Sequence, residues 1–338
     1  MADYPLVSII TPCYNGAEFI DRYFDSILKQ TYPNIELFFV NDGSGDRTEE
    51  IALSYKEKFE KKGYRFNYIY QENGGQASAI NKALPLFTGK YLTWPDSDDW
   101  ITPDAIERRV KFLEEHPSLG LVQSRSAVVR EDNLGKIVKT YERKNVADGR
   151  IFDGLIFEID APIVSGSFLV NSEKLIETIP ERHIYEARAG QNWQLLLPLC
   201  YKYECGFVPD ILYYIVVRSE SHSHAVKEYE AEINRTFTHE DLLIHILGDI
   251  EMPDGKRSSY IDRIKTKYIR RRLQLAAQHH KKNDAKKYYA ELQDKKAVRR
   301  SDQVNYARAR FLIFDSFLRA GVYCKAKLRG AAKLIKNK

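Results

Sequence analysis

Asp96-Ser97-Asp98-Asp99 places three carboxylates within four residues, directly after the apolar run Lys90-Tyr-Leu-Thr-Trp94. Two carboxylates one residue apart at the end of a strand can share a divalent cation. Their hard oxygen ligands suit Mg²⁺ or Mn²⁺ bridging a diphosphate. The same residues also suit the start of the helix that follows, where negative charge is favoured. Three further apolar runs end in polar, turn-forming loops. Thr11-Pro12-Cys13-Tyr14-Asn15-Gly16 follows Leu6–Ile10, Asn41-Asp42-Gly43-Ser44 follows Ile35–Val40, and Glu72-Asn73-Gly74-Gly75 follows Phe66–Tyr70.

The elements that must position these loops follow from periodicity. The four apolar runs read as strands. Between them, Glu18–Gln30, Arg47–Lys62 and Gln76–Leu84 carry apolar positions recurring at three and four, as helices do. Such alternation predicts a mostly parallel sheet with helices on both faces, whose ligands gather at the carboxyl ends of the strands. All four polar loops lie on that side. Thr102-Pro103 predicts a helix start that Pro117 stops. Leu121–Tyr141, Ile163–Val170 and Gly206–Val217 are strand-like, with a helix from Trp193 to Tyr203. After about residue 226 the pattern becomes long charged helices with periodic Leu, Ile and Tyr. The expected organisation is a catalytic α/β domain over 1–225 and a helical appendage over 226–338, the latter making oligomer or membrane-surface contacts.

Composition narrows the class. The 338 residues are 43% hydrophobic and 29% charged, with a net charge of +5, which fits a globular chain with one large domain and an appendage. No run of about 18 apolar residues spans a bilayer, and no signal-peptide pattern opens the sequence, so a cytoplasmic protein is expected. Cys13, Cys200, Cys205 and Cys324 have neither disulfide-framework nor zinc spacing. Arg319–Lys338 holds seven Lys/Arg and no Asp or Glu, with interleaved Leu328, Leu334 and Ile335, a pattern suited to anionic lipid at the inner membrane face. No nucleic-acid recognition module accompanies it. Gly43-Ser-Gly45 lacks the third glycine of a dinucleotide fingerprint, which argues against a dehydrogenase.

On Val7–Asn15, Phe39–Ser44, Glu72–Gln76 with Ala79-Ile-Asn81, and Asp96–Asp99, the chain resembles the family 2 glycosyltransferases, inverting enzymes of the GT-A fold. The resemblance covers about residues 5 to 225. It implies a UDP-sugar-dependent hexosyltransferase that builds bacterial surface glycans, on a lipid carrier or a glycoprotein acceptor. It also implies roles. Thr11, Pro12 and Tyr14 pack on the nucleobase, Asp42 accepts from uracil, and Asn73, Gly75, Asn81 and Ser97 belong to the nucleotide site. Asp96 contacts the ribose and Asp98 the metal, with Asp99 able to exchange roles. In Tyr213-Tyr214 to Arg218-Ser-Glu-Ser-His-Ser-His224, a histidine or arginine reaches the diphosphate or metal, and His222 is the first choice, ahead of His224. Ser165-Gly166-Ser167 faces the acceptor or makes a simple turn.

Inverting transfer needs a base for the acceptor hydroxyl. The resemblance implies a Gly-Glu-Asp-Trp-like segment, where this chain has Gly190-Gln191-Asn192-Trp193. An amide holds no proton near neutral pH, so Gln191 and Asn192 are expected to orient acceptor hydroxyls. The base is then Glu186, or Asp160, unless the chain binds a sugar nucleotide without transferring it.

Overall fold

A computed structural model describes residues 4–145, 147–188, 190–218 and 228–310. The chain divides into two compact units, Met1–Ala225 with His245–Glu251 and Val226–Ile244 with Met252–Lys338.

The described strands of the first unit form one sheet: β1 (Val7–Cys13), β2 (Ile35–Asp42), β3 (Arg65–Gln71), β4 (Tyr91–Thr93), β5 (Trp100–Ile101), β6 (Leu121–Arg130), β7 (Asn133–Tyr141), β8 (Phe168–Asn171) and β9 (Cys205–Val217). Their order is β3-β2-β1-β4-β8-β6-β9-β5, with β7 paired to β6. The helices are α1 (Ile20–Leu28), α2 (Thr48–Ser54), α3 (Lys56–Lys61), α4 (Gln76–Ala83), α5 (Ala105–Glu115), α6 (Phe152–Phe157), α7 (Ser172–Thr178) and α8 (Gln191–Lys202).

Strands β1 to β4 are mutually parallel, as the strand and helix alternation requires. Every residue of β2 is buried, which is why Leu37–Val40 is apolar on both faces, while the buried Glu36 accepts from Ser8 and Thr88. Helix α1 packs Ile20, Tyr23, Phe24 and Ile27 inward, one apolar stripe at spacings of three and four. Beyond β4 the sheet is mixed: β8 runs antiparallel to β4 and β6, while β6 and β9 are parallel.

Local departures from the expected elements have physical causes. Arg47–Lys62 is two short helices, α2 and α3, meeting at Tyr55, whose buried ring lies 5.0 Å from that of Phe24. The helix expected from Pro103 begins at Ala105. Residues 100–101 are held extended by pairing with β9, and Thr102 N–H donates to the Leu212 carbonyl at 3.1 Å. Leu121–Tyr141 is the β6–β7 hairpin.

The second unit contains most of α9 (Tyr229–Asp249), with α10 (Asp254–Gln278), α11 (Lys282–Asp294) and α12 (Arg300–Arg310). It has its own apolar cluster, including Tyr229, Ile233, Leu273, Tyr288 and Leu292. The buried Arg272 pairs with Glu240 at 2.8 Å, and Arg270 pairs with the fully buried Asp302 at 3.0 Å. Long charged helices therefore still enclose a core. Among the described residues no helix is long and apolar enough to cross a membrane.

Candidate active site

The strand ends converge on a cavity of about 300 Å³. Pro12, Cys13 and Tyr14 line it from the end of β1 and Asp42 from the end of β2. Asp96, Ser97 and Asp98 follow β4, Gln76 opens α4, and Arg218 follows β9. Burial pushes the Cys13 thiol up to about 12, so it is a wall and not a nucleophile.

Hydrogen bonds lock the first two loops together. Asn15 N–H donates to Ser44 Oγ at 2.9 Å, Gly45 N–H to Asn15 Oδ1 at 2.9 Å, Ala17 N–H to Asp46 Oδ2 at 2.9 Å, and Gly16 N–H to Thr48 Oγ1 at 2.7 Å. Tyr14, 54% exposed, is thereby held at the cavity wall with a ring face available. Asp42 organises the third loop. Its Oδ1 accepts from Gln71 Nε2 at 2.6 Å and Gly74 N–H at 2.8 Å, and its Oδ2 from Gly75 N–H at 2.9 Å. Asn73 Nδ2 donates to the Asp42 carbonyl at 3.1 Å. Gly43 has φ +72°, and a Cβ there would lie 2.7 Å from the Asn73 nitrogen, so only glycine lets the two loops meet.

The acidic cluster splits into three environments. Asp96 Oδ2 accepts from Ser165 Oγ at 2.7 Å. Burial, with the Asp98 charge in support, pushes its carboxyl up to about 6, against the stabilising Ser165 bond. Asp99 is buried and turned inward, accepting from Tyr213 Oη at 2.6 Å and Val216 N–H at 2.8 Å. Burial holds it well above the usual carboxylate range, with the Asp98 and Asp96 charges adding to the shift. Asp98 pairs with Arg218 Nη2 at 3.0 Å, and that guanidinium lies 4.3 Å from the Phe19 ring centroid. Arg22 Nη2 donates to the Asp98 carbonyl at 2.7 Å.

Asp96 and Asp98 are the cavity-lining carboxylates of this cluster. Among the described residues no set of three or more His, Cys, Asp and Glu converges as a preformed cation cage. Two carboxylate ligands still fit Mg²⁺ or Mn²⁺, which take one or two from the protein and complete their shell with water and substrate phosphates.

The buried Arg109 supports this cluster from behind. Its Nη1 donates to the carbonyls of Gly166 at 2.8 Å and Phe168 at 3.3 Å, fixing the turn that carries Ser165. Gly166 is required there, because a Cβ would lie 1.9 Å from the Tyr213 ring. The Ser165–Ser167 segment is therefore a one-turn helix whose first hydroxyl serves Asp96.

The segment from α7 to α8 forms the other side. Asn81 Oδ1 accepts from Ile184 N–H at 2.9 Å, and its Nδ2 donates to the Ile184 carbonyl at 2.8 Å. Those two bonds fix the amide orientation, so Nδ2 also donates to His183 Nε2 at 3.0 Å and selects the tautomer with the proton on Nδ1. Gln191 Nε2 donates to Gln76 Oε1, and Trp94 Nε1–H donates to Asn192 Oδ1 at 2.7 Å. Gly75 approaches Arg188, which brings this segment against the loop that Asp42 holds.

Several expected residues are placed differently. Thr11 is fully buried with its hydroxyl bonded to Tyr23 Oη, so it secures β1 and does not line the cavity. Asn81 holds the 183–184 backbone and also lies off the cavity. Asn73 and Gly75 act through Asp42. Asp99 is spent on Tyr213 and Val216 and does not exchange roles with Asp98. Glu186 lines a second cavity, 3.8 Å from His183. Asp160 pairs with Lys144 and lines neither cavity. His222 and His224 lie outside the described residues, and the described part of their segment supplies Arg218. The sequence marks that segment as the source of a histidine or arginine, with His222 the first choice; the described residue that lines the cavity is the arginine. No motif marks Tyr213 as the clamp on Asp99 or Gln71 as a donor to Asp42; Gln71 is the last residue of β3, and Tyr213 lies within β9.

A family model described as Glycosyl transferase family 2 matches residues 8–179. An uncharacterized glycosyltransferase of Rickettsia prowazekii is 48% identical over 111 residues, 33% of this chain and 33% of the relative. Glycosyltransferase GlyA of Streptococcus pneumoniae is 41% identical over 110 residues, 32% of this chain and 15% of the relative. These alignments span a third or less of each relative's length. Among solved structures, Staphylococcus aureus TarS 1–349 in complex with UDP-GlcNAc aligns over 90% of this chain and 79% of that one, with TM-score 0.59 and 18% identity. Mannosyltransferase PcManGT from Pyrobaculum calidifontis, in complex with GDP-Man and Mn²⁺, aligns over 94% and 87%, with TM-score 0.54 and 17% identity. At such identity the likeness establishes the shared fold, the α/β arrangement expected from the sequence with its helical C-terminal region.

Proposed function

Because this chain belongs to glycosyl transferase family 2, we propose that it moves a sugar from a UDP-sugar to a glycan hydroxyl with inversion. The observation that carries the reading is the single cavity in which Tyr14, Asp42, Asp96, Asp98 and Arg218 meet, drawn from four separate strand ends. Pro12 and Tyr14 offer an apolar wall to the nucleobase. Asp42 keeps acceptor capacity on Oδ2 for a ring N–H, which favours uracil over a base lacking that donor. TarS, seen with UDP-GlcNAc, supports this choice, whereas PcManGT was seen with GDP-Man.

Asp96, oriented by Ser165, faces the ribose, with Ser97 beside it. Asp98 and Asp96 are the residues that would hold Mn²⁺ or Mg²⁺, whose chemistry is to stabilise the departing diphosphate as a Lewis acid. Arg218 adds a fixed cationic group to the same wall. Glu186 is assigned the acceptor's proton, since it lines the second cavity and lies two residues from Arg188, which abuts Gly75. Asn192 is pinned through Oδ1 to Trp94, leaving Nδ2 to donate to an acceptor hydroxyl. Residues 1–225 form the catalytic domain in this reading, with residues 245–251 in the same compact unit, and the remainder of 226–338 provides oligomer or membrane-surface contact for work on lipid-linked or glycoprotein acceptors.

Calorimetry with UDP and CDP, with and without Mn²⁺, tests the donor side, since cytosine lacks the ring N–H. The expected result is metal-dependent UDP binding stronger than CDP binding. Equal affinity for both overturns the uracil assignment, and no nucleotide binding overturns the function. The amide pair Gln191-Asn192 favours a second reading, a module that binds a sugar nucleotide without transferring it. UDP-sugar binding with no UDP released, with or without any acceptor, would support that alternative.

A further inference from the structure

The first unit carries a second cavity of about 640 Å³, lined by the segment after α7, by α8 and by residues 245–249. None of its lining residues lines the nucleotide cavity. Its walls are of two kinds. Pro180, Ile184, Pro198 and Ile246 are apolar, and Tyr185 is 56% exposed, its ring centroid 4.7 Å from that of His245. Glu181, Glu186, Asp249 and Gln194 supply hydrogen-bonding groups.

We propose that this cavity holds the acceptor glycan and that it selects neutral or amine-bearing saccharides over polyanionic ones. The inference rests on the transferase reading above. Sugar rings present weakly positive C–H groups on one face, which suit the negative face of an exposed aromatic ring, and hydroxyls around the rim. Carboxylates and a side-chain amide are acceptors for those hydroxyls, and a concave, largely apolar site with a few polar groups is how such ligands are bound.

Charge sets the selectivity. Three carboxylates line the cavity, and no lysine or arginine is among the lining residues. The nearest arginine in sequence, Arg182, is committed elsewhere: its guanidinium lies 4.2 Å from the Phe87 ring and donates to the Phe87 carbonyl at 2.6 Å. His183 Nε2 lies 3.0 Å from Asn81 Nδ2 and 3.8 Å from Glu186, so its ring is engaged within the wall. His245 faces Asp249 at 3.7 Å. A uronate- or phosphate-rich chain would meet like charge, while hydroxyls and ammonium groups meet acceptors. Asn81 connects the two cavities mechanically. It is rooted in α4, whose first residue Gln76 lines the nucleotide site, and it clamps the 183–184 backbone of the second.

The test uses the full chain and three hexasaccharides: one of N-acetylglucosamine (neutral), its de-N-acetylated form (cationic) and one of galacturonate (anionic). Binding is followed by saturation-transfer NMR and calorimetry, and UDP with Mn²⁺ is titrated into the same samples. The neutral or cationic hexamer is expected to bind in preference to galacturonate. Tyr185→Ala should weaken that binding by about tenfold or more, as truncating an aromatic anchor does, while Tyr185→Phe keeps it and UDP affinity is the same in all three proteins. The double variant Glu181→Gln with Asp249→Asn should narrow the discrimination against galacturonate. Preference for galacturonate, binding indifferent to Tyr185→Ala, or no binding of any hexamer overturns the proposal. Loss of UDP binding with saccharide binding intact overturns the transferase reading instead.

Discussion

The two sides of the first unit solve the placement of polar groups in opposite ways. On the nucleotide side, carboxylates sit at strand ends and are held by the fold: Asp42 by three donors, Asp99 by Tyr213 and Val216, Asp96 by Ser165. On the side proposed for the acceptor, Glu186 and His183 are more than half exposed and lie on a segment between helices, tethered through Asn81. Buried carboxylates need partners, so they carry their own positioning network. Exposed ones do not, and their geometry is left to the segment that bears them. The preorganised side is where charge must be met at fixed points. The less constrained side is where acceptors of varied shape would enter.

The sharpest way to break this contrast is Asp98→Asn. Replacing one hard anionic ligand with a neutral one is expected to abolish Mn²⁺-dependent UDP binding while the near-ultraviolet circular dichroism stays that of the parent. Unchanged metal dependence in calorimetry would remove Asp98 from the metal assignment. Glu186→Gln comes next. Turnover should fall by roughly 10² to 10⁴ with UDP-sugar affinity retained, the usual worth of a general base. Adding Asn192→Asp to that variant should restore part of the rate, because Oδ1 can still accept from Trp94 while Oδ2 becomes a proton acceptor. Normal turnover in Glu186→Gln would confine Glu186 to saccharide contact.

Asp42→Ala tests the preorganised side at smaller scale. It deprives Gln71, Gly74 and Gly75 of their common acceptor, and UDP binding should weaken by roughly 1 to 3 kcal/mol. Parent-like affinity would show that the loop keeps its form without the carboxylate. The smallest effect on the site is expected from deleting residue 316 onward. UDP-sugar hydrolysis should stay at the parent rate, while vesicle binding or oligomer size falls. Loss of hydrolysis would bring the appendage into the catalytic account, and loss of none of the three would make the tail dispensable.

Much of the nucleotide side was legible because the signals are local. Four apolar runs ending in Pro12-Cys13-Tyr14, Asp42-Gly43, Asn73-Gly74-Gly75 and Asp96-x-Asp98 fix strand ends, and parallel alternation puts those ends on one side of the sheet. The helical character after residue 226 was equally local, a matter of periodicity and charge. Long-range pairing decided the rest. The antiparallel insertion of β8 between β4 and β6 brings Ser165 to Asp96 across 69 residues, and β9 brings Arg218 to Asp98 across 120. Nothing in the sequence near Thr11, Asn81 or Asp99 shows that their side chains turn to Tyr23, Ile184 and Tyr213. A polar residue beside a site motif has a choice of partners, and burial settles it: once enclosed, each group must be hydrogen-bonded to whatever the packed chain sets beside it. The sequence therefore determined which residue types meet at the strand ends, while the tertiary structure decided which of them face the cavity and which hold it in shape.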